Sequence, residues 1–483
     1  MPYTRNYYID LLCYHILPLS IKISLLILLL MKHSILVSSI LFGIIYYTYL
    51  QCVYLLFGYR KLNGVETCVF HDLPQNRFNM IGLCIVSNFN AEKLKKLIIE
   101  QGIKKIPRLR SKITSFLCEY YWTSTSIEDA VQRIKIINTP LSSLDKVYEY
   151  TIEELNKPID IFNELPYEII LLPFGNSNQG ALIVKFDHLL SDGLGGVSFI
   201  CSLASNNDIS VYPKIMQMQR HNDGMLTYFI GILLFPYFAI KNFYYLFSPN
   251  LTNTPFRHRS HPKNKSKFEI SRTFPLSVFS SIRAKYKITF NDAMVSIVSR
   301  AVSQLMEERK IKNENKYRMK CLIPYGIKKL PLKPSDVQLS IDSYAFVVYV
   351  PLIDNISQSK VISNHLQSTI KDYNLILNLK FILNIICNFL TYKTIGIFWA
   401  MFNNQCDLGL SNIPGPTKKI VFDEDMTVES IIPVCTSARA LPYIPLMSYN
   451  GEFRFCLTID ESIDVDPRKF IQCIENIIEN LNK

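Results

Sequence analysis

The chain has 483 residues, 49% of them hydrophobic, and its 52 basic and 40 acidic residues give a formal net charge of +12. This charge suits an anionic partner such as a phosphate-bearing cofactor or an anionic membrane. It favours nucleic acid least, because the basic residues are spread out and no known reader motif is present. The 12 cysteines form no CxxC pair, which argues against a zinc ribbon or a dense disulfide framework and for reduced thiols facing the cytosol.

The N-terminal region contains two apolar runs. Ser34 to Phe57 is uncharged and long enough to cross a bilayer, which predicts a transmembrane segment. The shorter run Ile23 to Met31, between Lys22 and Lys32, is either a second span or an interfacial segment. A buried core helix and a cleaved signal peptide are the alternatives for this region, and both are less favoured. We therefore expect residues 1–62 to form a membrane anchor.

A second apolar stretch runs from Met225 to Phe247 and is interrupted by Pro236 and Lys241. Its composition is compatible with a span, an interfacial helix or a core helix. The basic cluster Phe256 to Lys267 follows it, and is either a cytosolic, lipid-facing flank or a solvated linker. We expect residues 206–267 to form an apolar segment and a basic crossover linker.

The remainder of the chain has the pattern of a mixed α/β protein. Apolar runs predict buried strands, and apolar residues at helical spacing predict helices. The predicted strands are Phe78–Ser87, Pro166–Pro173, Ala181–Phe186, Ser343–Leu352 and Glu452–Ile459. The predicted helices are Ala91–Gln101, Leu194–Ala204, Asp292–Arg309 and Asp466–Leu481.

One strand-to-helix connection contains residues suited to chemistry. The stretch VKFDHLLSDGLGGVSFI, from Val184 to Ile200, places His188 just after a buried strand and before a turn at Ser191-Asp192-Gly193. A side chain there can be held rigidly while it faces a cleft. A neutral histidine can take a proton from a hydroxyl that attacks an acyl carbonyl, and the resulting oxyanion needs hydrogen-bond donors. The alternative is that Asp192 only caps the helix and His188 is a core residue.

Four stretches in order resemble one family. Asp187-His188-Leu189-Leu190-Ser191-Asp192-Gly193 resembles the HHxxxDG motif of the wax ester synthase/diacylglycerol acyltransferase family, which transfers acyl groups from acyl-CoA to hydroxyls. Leu165-Pro166-Tyr167-Glu168 resembles its PLWE box, and Asn291-Asp292-Ala293-Met294-Val295-Ser296 its NDVVLA motif. Ser411-Asn412-Ile413-Pro414-Gly415-Pro416 resembles its SNVPGP stretch. The resemblance covers roughly Thr67 to the C-terminus, and the ending Ser448–Glu461 also looks like the C-terminal strand of the family.

The resemblance implies roles for individual residues. His188 corresponds to the general base, and Asp192 holds its loop. Asn291 either assists the oxyanion or only caps a helix. The family's first histidine is Asp187 here, and a carboxylate in that place can raise the pKa of His188 or alter the choice of acceptor. The substrate-binding residues implied are Tyr167, Gly193, Asp292, Asn412 and Gly415.

The fold implied by the resemblance is α/β, with two chloramphenicol acetyltransferase-like subdomains and a tunnel between them. We expect residues 63–205 to form the first subdomain, with the HxxxDG motif, and residues 268–483 the second. Acyl-CoA is implied as co-substrate, with no bound cofactor, and a long-chain alcohol or diacylglycerol as acceptor. These lipids imply a membrane location, at the endoplasmic reticulum with the catalytic domain facing the cytosol, or at lipid droplets.

Two rival functions remain open. One is a relative that uses the same base on another hydroxyl acceptor, such as a sterol or a short alcohol. The other is a membrane lipid-binding protein that has lost catalysis, an alternative that Asp187 keeps open. The chain contains no HExxH, EF-hand or P-loop motif, so neither a metal site nor nucleotide hydrolysis is indicated.

Overall fold

The computed structural model describes most of the chain in ordered segments. These are residues 17–32, 35–70, 78–116, 119–175, 178–204, 263–311, 318–326, 336–377, 405–423, 425–436 and 441–481, with a few short stretches between 211 and 397. Almost all of the apolar stretch Met225–Phe247, and half of the basic cluster Phe256–Lys267, lie outside the described residues.

The described residues form both strands and helices. The strands are β1 (Arg60–Lys61), β2 (Asn79–Ser87), β3 (Ser111–Phe116), β4 (Glu119–Ser124), β5 (Ile134–Ile136), β6 (Tyr167–Phe174), β7 (Gln179–Asp187), β8 (Ser266–Ile270), β9 (Phe274–Pro275), β10 (Arg318–Gly326), β11 (Ser343–Pro351), β12 (Leu408–Ile413), β13 (Val421–Asp423), β14 (Met426–Cys435), β15 (Tyr443–Tyr449) and β16 (Glu452–Asp460). The helices are α1 (Leu17–Lys32), α2 (Ile35–Phe57), α3 (Gly64–Val69), α4 (Ala91–Leu97), α5 (Ile127–Val131), α6 (Leu144–Asn156), α7 (Gly193–Ser202), α8 (Ser280–Tyr286), α9 (Phe290–Glu308), α10 (Ser359–Leu377) and α11 (Pro467–Asn480).

The N-terminal helices α1 and α2 pack against each other and are attached to a small sheet with the strand order β1-β4-β3. Glu119 at the start of β4 pairs with Lys22 of α1 and with Lys61 of β1, each at 2.6 Å. No helix among the residues described here is long and apolar enough to cross a membrane. The predicted transmembrane segment Ser34–Phe57 is therefore not supported.

The first large sheet has six strands in the order β13-β14-β2-β7-β6-β5. Its centre is an antiparallel pair, β2 and β7, in which every residue from Asn79 to Ser87 has a partner. Strand β14 extends this sheet by pairing antiparallel with β2, although it lies more than 300 residues later in the chain. The sheet is thus not built from residues 63–205 alone, because β13 and β14 belong to the C-terminal part of the sequence.

The second large sheet has the strand order β11-β10-β12-β15-β16-β8, and β9 also pairs with β16. One of its faces packs against α9, α10 and α11. Strands β10, β12 and β15 run parallel, so their carboxyl ends lie at one edge of the sheet. The other face meets the first sheet through an apolar cluster that includes Ile413 and Met447 on one side and Phe186 and Val197 on the other.

The five strands and four helices that the sequence predicted agree with the structure to within about two residues at most of their ends. The strand predicted at Ala181–Phe186 is β7, and the helix predicted at Asp292–Arg309 is α9, which begins two residues earlier. The helix predicted at Ala91–Gln101 differs, because α4 ends at Leu97 and continues as a π-helical turn. The predicted α/β architecture is confirmed.

Candidate active site

His188 lies immediately after β7, where the sheet ends and the chain turns into α7. Its backbone N–H donates to the carbonyl of Phe78 at 2.8 Å, which ties the turn to the residue just before β2. The ring of Phe78 packs against the imidazole with centroids 4.7 Å apart. Two neighbouring strands therefore fix both the backbone and the ring of His188.

The carboxylate of Asp192 holds the turn on two sides. Its Oδ1 accepts from the backbone N–H of Gly195 at 2.9 Å, which makes Asp192 the N-cap of α7. Its Oδ2 accepts from the backbone N–H of Asp342 at 2.9 Å. Asp342 directly precedes β11 in the second sheet. This one carboxylate therefore links the His188 turn of the first sheet to the second sheet. The predicted role of Asp192 as the residue that holds the loop agrees with these contacts.

Buried polar residues also hold the turn that contains His188 through contacts with the backbone of Leu189. Asp187 Oδ1 accepts from the backbone N–H of Leu189 at 2.9 Å, and Arg108 donates to the Leu189 carbonyl at 3.3 Å. The guanidinium of Arg108 pairs with Glu66 and lies 3.5 Å from the centroid of the Trp122 ring. Burial lowers the pKa of Arg108 to about 10, against the opposing effect of Glu66, so the cation persists at pH 7. The motif thus rests on a buried ion pair that the sequence did not indicate.

The protonation of His188 is set chiefly by burial. Burial lowers its pKa below the usual value, and Asp192 and the backbone carbonyl of His188 itself offset only part of this effect. Its Nδ1 atom is buried without a hydrogen-bond partner. The imidazole is therefore neutral at pH 7 and can accept a proton.

The expectation that Asp187 raises the pKa of His188 is not met. The Asp187 carboxylate accepts from Leu189 in a local turn, and the carboxylate that acts on the imidazole is that of Asp192. The net shift of the His188 pKa is downward. Asp187 thus contributes a hydrogen bond within the turn, and its effect on the choice of acceptor stays a prediction.

His188 opens onto a cavity of about 890 Å³, including its mouth, between the two large sheets. Apolar side chains of β2, β7, α7, β14 and β15 form most of the wall. The polar or titratable residues on it are His188, Asp192, Ser343, Ser411, Asn412, Cys435 and Tyr443.

The structure brings four of the predicted site residues to this cavity. They are His188, Asp192, Gly193 and Asn412. A Cβ atom on Gly193 would lie 2.8 Å from Cδ1 of Ile413, so the glycine lets the turn pack closely against the second sheet.

Asn291 and Asp292 lie elsewhere, at the N-terminus of α9. Asp292 forms a capping box with Thr289 and also accepts from the hydroxyl of Ser363 at 3.0 Å. Neither residue is among those that line the cavity. For Asn291, this position agrees with the helix-terminus alternative and gives no support to a contact with the reacting carbonyl.

Tyr167 and Gly415 also lie outside the cavity wall. Tyr167 is 1% exposed, and its hydroxyl donates to the carbonyl of Ala130 at 3.4 Å. A Cβ on Gly415 would lie 1.8 Å from the carbonyl oxygen of Ser448, so only glycine allows this close approach to β15. Neither residue is therefore placed to contact a substrate in the cavity.

Comparisons with known proteins agree with this geometry. Residues 369–482 match the family model described as the WS/DGAT C-terminal domain. The chain is 21% identical over 476 residues to wax ester synthase/diacylglycerol acyltransferase 10 of Arabidopsis thaliana, covering 86% of this chain and 93% of that protein.

Two solved structures share the fold. Wax ester synthase/diacylglycerol acyltransferase of Marinobacter aquaeolei VT8 matches with a TM-score of 0.57 and 16% identity, over 87% of this chain and 98% of that one. TRI3 trichothecene 15-O-acetyltransferase of Fusarium sporotrichioides matches with a TM-score of 0.63 and 10% identity, over 88% and 95%. The resemblance to the wax ester synthase/diacylglycerol acyltransferase family is thereby confirmed, and with it the prediction of an acyltransferase.

Proposed function

We propose that the chain transfers a fatty acyl group from acyl-CoA to the hydroxyl of a long-chain alcohol or of diacylglycerol, with His188 as the general base. The observation that carries this proposal is a neutral, half-buried histidine on the wall of a mainly apolar cavity. Such a cavity accepts hydrocarbon chains, and the imidazole supplies the proton acceptor that a hydroxyl needs. The net charge of +12 favours the approach of the phosphates of CoA.

The proposed reaction is a direct transfer. His188 takes the proton of the acceptor hydroxyl as its oxygen attacks the thioester carbonyl, so that a C–O bond forms and the carbonyl oxygen becomes an oxyanion. When the carbonyl re-forms, the C–S bond breaks and the CoA sulfur takes the proton from His188. Both products leave neutral with respect to the transferred proton, and no acyl-enzyme is required.

The test is acyl transfer from a labelled long-chain acyl-CoA to hexadecanol and diacylglycerol offered together. We expect wild type to give labelled ester and His188→Ala to lose about 10²- to 10⁴-fold in rate. His365→Ala is the matched control, because His365 lies on α10 outside the cavity wall. Full activity of His188→Ala would refute the base, and absence of product from folded wild type would favour the lipid-binding alternative.

We further propose that α1 and α2 attach the protein to a membrane, with the catalytic part in the cytosol at the endoplasmic reticulum or at lipid droplets. The support is a set of exposed apolar side chains, among them Leu55 at 78% and Leu56 at 74% exposure. Large exposed apolar patches mark membrane or partner surfaces. Attachment would bring the cavity to acceptors that reside in lipid.

The membrane proposal is tested by binding to phosphatidylcholine vesicles. We expect the double substitution Leu55→Lys and Leu56→Lys to weaken binding at least tenfold, because charge opposes burial in lipid. Val361→Lys is the control, since Val361 is an exposed apolar residue on α10. Equal binding of both variants would contradict attachment through this surface.

A further inference from the structure

One face of α2 packs on the protein, and the opposite face is uncovered. The side chains of the packed face are buried or half-buried and recur at helical spacing, and they are Ser38, Phe42, Tyr46, Tyr49 and Val53. The outward side chains Ile44, Tyr47 and Leu55 are exposed. Because a long exposed apolar face marks a membrane or partner surface, the way in which α2 is held decides how that surface can be met.

A buried polar cluster holds the middle of α2 on the small sheet β1-β4-β3. The carboxylate of Glu119 on β4 pairs with Lys22 of α1 and with Lys61 of β1, each at 2.6 Å. The hydroxyl of Tyr46 on α2 donates to Glu119 at 3.5 Å and accepts from Lys61. The three charged side chains are only 12%, 12% and 14% exposed. Together these four residues form the Glu119 cluster.

The charges of the Glu119 cluster persist at pH 7. Burial opposes ionisation of Glu119, but Lys61 and Lys22 outweigh it and hold the pKa of this carboxyl below its usual value. Burial lowers the pKa of Lys61 to about 8, against the opposing effect of Glu119. Removal of the carboxylate would leave both lysines uncompensated, which is far more costly than the loss of an exposed ion pair.

Aromatic contacts continue the docked surface towards the C-terminal end of α2. The hydroxyls of Tyr49 on α2 and Tyr121 on β4 share a hydrogen bond of 3.1 Å. The ring of Phe57, the last residue of α2, lies 4.9 Å from the ring of Phe116 on β3. The small sheet therefore accompanies α2 from Tyr46 to Phe57, over roughly 16 Å of helix.

This docking leaves α2 no room to cross a bilayer. The hydrocarbon core of a bilayer is about 30 Å thick. The half of α2 beyond Tyr46 cannot enter that core, because the charges of the Glu119 cluster and the small sheet would enter with it. The half before Tyr46 is roughly 16 Å long, which is too short to cross by itself.

The small sheet is also joined to the catalytic turn. Leu189, which directly follows His188, belongs to the same apolar cluster as Ile113 of β3 and Trp122 of β4. An orientation that α2 imposes on the small sheet is therefore imposed on the His188 turn and on the cavity beside it.

We infer that α2 lies along the membrane surface with Ile44, Tyr47 and Leu55 towards the lipid, and that Glu119 is the positioning residue that fixes this orientation. Lipid is the occupant that the composition favours, because uncharged faces with several tyrosines suit the boundary between headgroups and hydrocarbon. Neither α1 nor α2 contains an acidic residue that would repel an anionic lipid surface. This inference rests on the proposed membrane attachment and gives it a direction.

Quenching by brominated phosphatidylcholine tests the orientation of α2 in the full chain bound to vesicles. Tyr47→Trp places a tryptophan on the outward face, and Tyr49→Trp places one on the docked face. The fluorescence of the unsubstituted chain, which has two tryptophans, is subtracted. We expect loss of fluorescence for Tyr47→Trp and little loss for Tyr49→Trp. Equal quenching would show α2 immersed in lipid, and no quenching of either would fit a face covered by a second copy of the chain; each result would overturn the inference.

Substitution of Glu119 tests whether the cluster fixes the orientation. Glu119→Gln keeps the shape of the side chain and removes its charge, so α2 should be released from the small sheet. We expect vesicle binding within about twofold of wild type, since the outward face is unchanged. Acyl transfer to diacylglycerol in vesicles should fall about tenfold, because the cavity is no longer held towards the membrane. Transfer to diacylglycerol in detergent micelles, which approach the cavity from any side, should be unchanged.

The triple variant Lys22→Met, Lys61→Met and Glu119→Met is the matched control. Apolar side chains of similar volume often replace a buried ion cluster without loss of stability, so this variant should keep α2 docked and keep the wild-type ratio of vesicle to micelle activity. An unchanged ratio in Glu119→Gln would remove the orienting role. Equal losses on vesicles and micelles would show a general structural effect, and either result would overturn the inference.

Failure of the proposed function has a different signature. A wild type that binds vesicles and transfers no acyl group in either form would overturn the proposed acyl transfer, while the quenching experiment would still decide the orientation of α2. A wild type that does not bind vesicles would overturn the proposed membrane attachment and this inference with it, while micelle activity would still report the acyl transfer.

Discussion

Two helix N-termini in this protein look alike in sequence and differ in position. Ser191-Asp192-Gly193 precedes α7, and Asn291-Asp292-Ala293 opens α9. Asp192 is the N-cap of α7, and Asp292 completes a capping box with the N-cap Thr289 of α9. Each aspartate also accepts from a second, distant segment. Only the first turn borders the cavity. A capping aspartate is therefore weak evidence of a catalytic site until the surrounding sheets are known.

The largest difference is expected when the carboxylate is removed from each turn. Asp192→Ala releases Gly195 and Asp342, and a displaced base can cost about 100-fold in rate. We expect that loss in kcat for Asp192→Ala, measured on folded protein, and no comparable loss for Asp292→Ala. Similar kinetic losses in both variants would remove the distinction between the two turns.

The pH dependence of the rate separates the turns in a second way. Because His188 must be neutral to act as a base and its pKa is lowered, the rate should fall about tenfold per pH unit only below a value under 6.5. The Asp192 charge raises the His188 pKa, so Asp192→Asn should move this acid limb to lower pH. Asp292→Asn should leave the acid limb of the pH–rate profile unchanged. A shift of this limb to higher pH in Asp192→Asn would contradict the assignment of His188 as the base.

The second turn should show its effect in stability. Asp292→Ala leaves the N–H of Thr289 and the hydroxyl of Ser363 without their acceptor, which should cost about 1–3 kcal/mol in the free energy of unfolding. Denaturant unfolding of both proteins measures this. Asp354→Ala, at an exposed position before α10, is the control and should change stability little.

The smallest effect is expected for Asn291. Since Asn291 does not line the cavity, Asn291→Ala should change kcat by less than about twofold, as substitutions outside a site usually do. The same acyl-transfer assay measures it. A loss of about 100-fold or more at unchanged stability would return Asn291 to the chemistry.

Local patterns in the sequence predicted the His188 site well. The apolar run of β7, the turn at Asp192 and the glycines of α7 all lie within 17 consecutive residues, so their arrangement is set by near neighbours. The same holds for α9 and α11, whose apolar spacing gave their bounds. On the polar wall opposite His188, the sequence indicated Asn412 and missed Ser411. The alternation in Leu408–Ile413 could have placed Ser411 and the two leucines on opposite faces.

Contacts between segments that are distant in the sequence could not be predicted from local sequence patterns. Neither the contact of Asp192 with Asp342 nor the cluster of Glu66 and Arg108 beneath Leu189 has a signal in either segment alone. The pairing of β2 with β14 could not be predicted either, because an apolar strand can pair with many others. The displacement of Asn291 from the cavity follows from such pairings, since they set where α9 lies.

The pairing of β14 with β2 also affects how the chain must be synthesised. Ser87 and its partner Thr427 are separated by 340 residues, so one edge of β2 stays open while the ribosome makes the intervening chain. At the usual elongation rate this takes roughly 20–70 s. An unpaired apolar strand edge invites association with other nascent chains. Residues 63–205 produced alone should therefore aggregate, and the full chain should depend on chaperones that shield this edge until translation has passed residue 435.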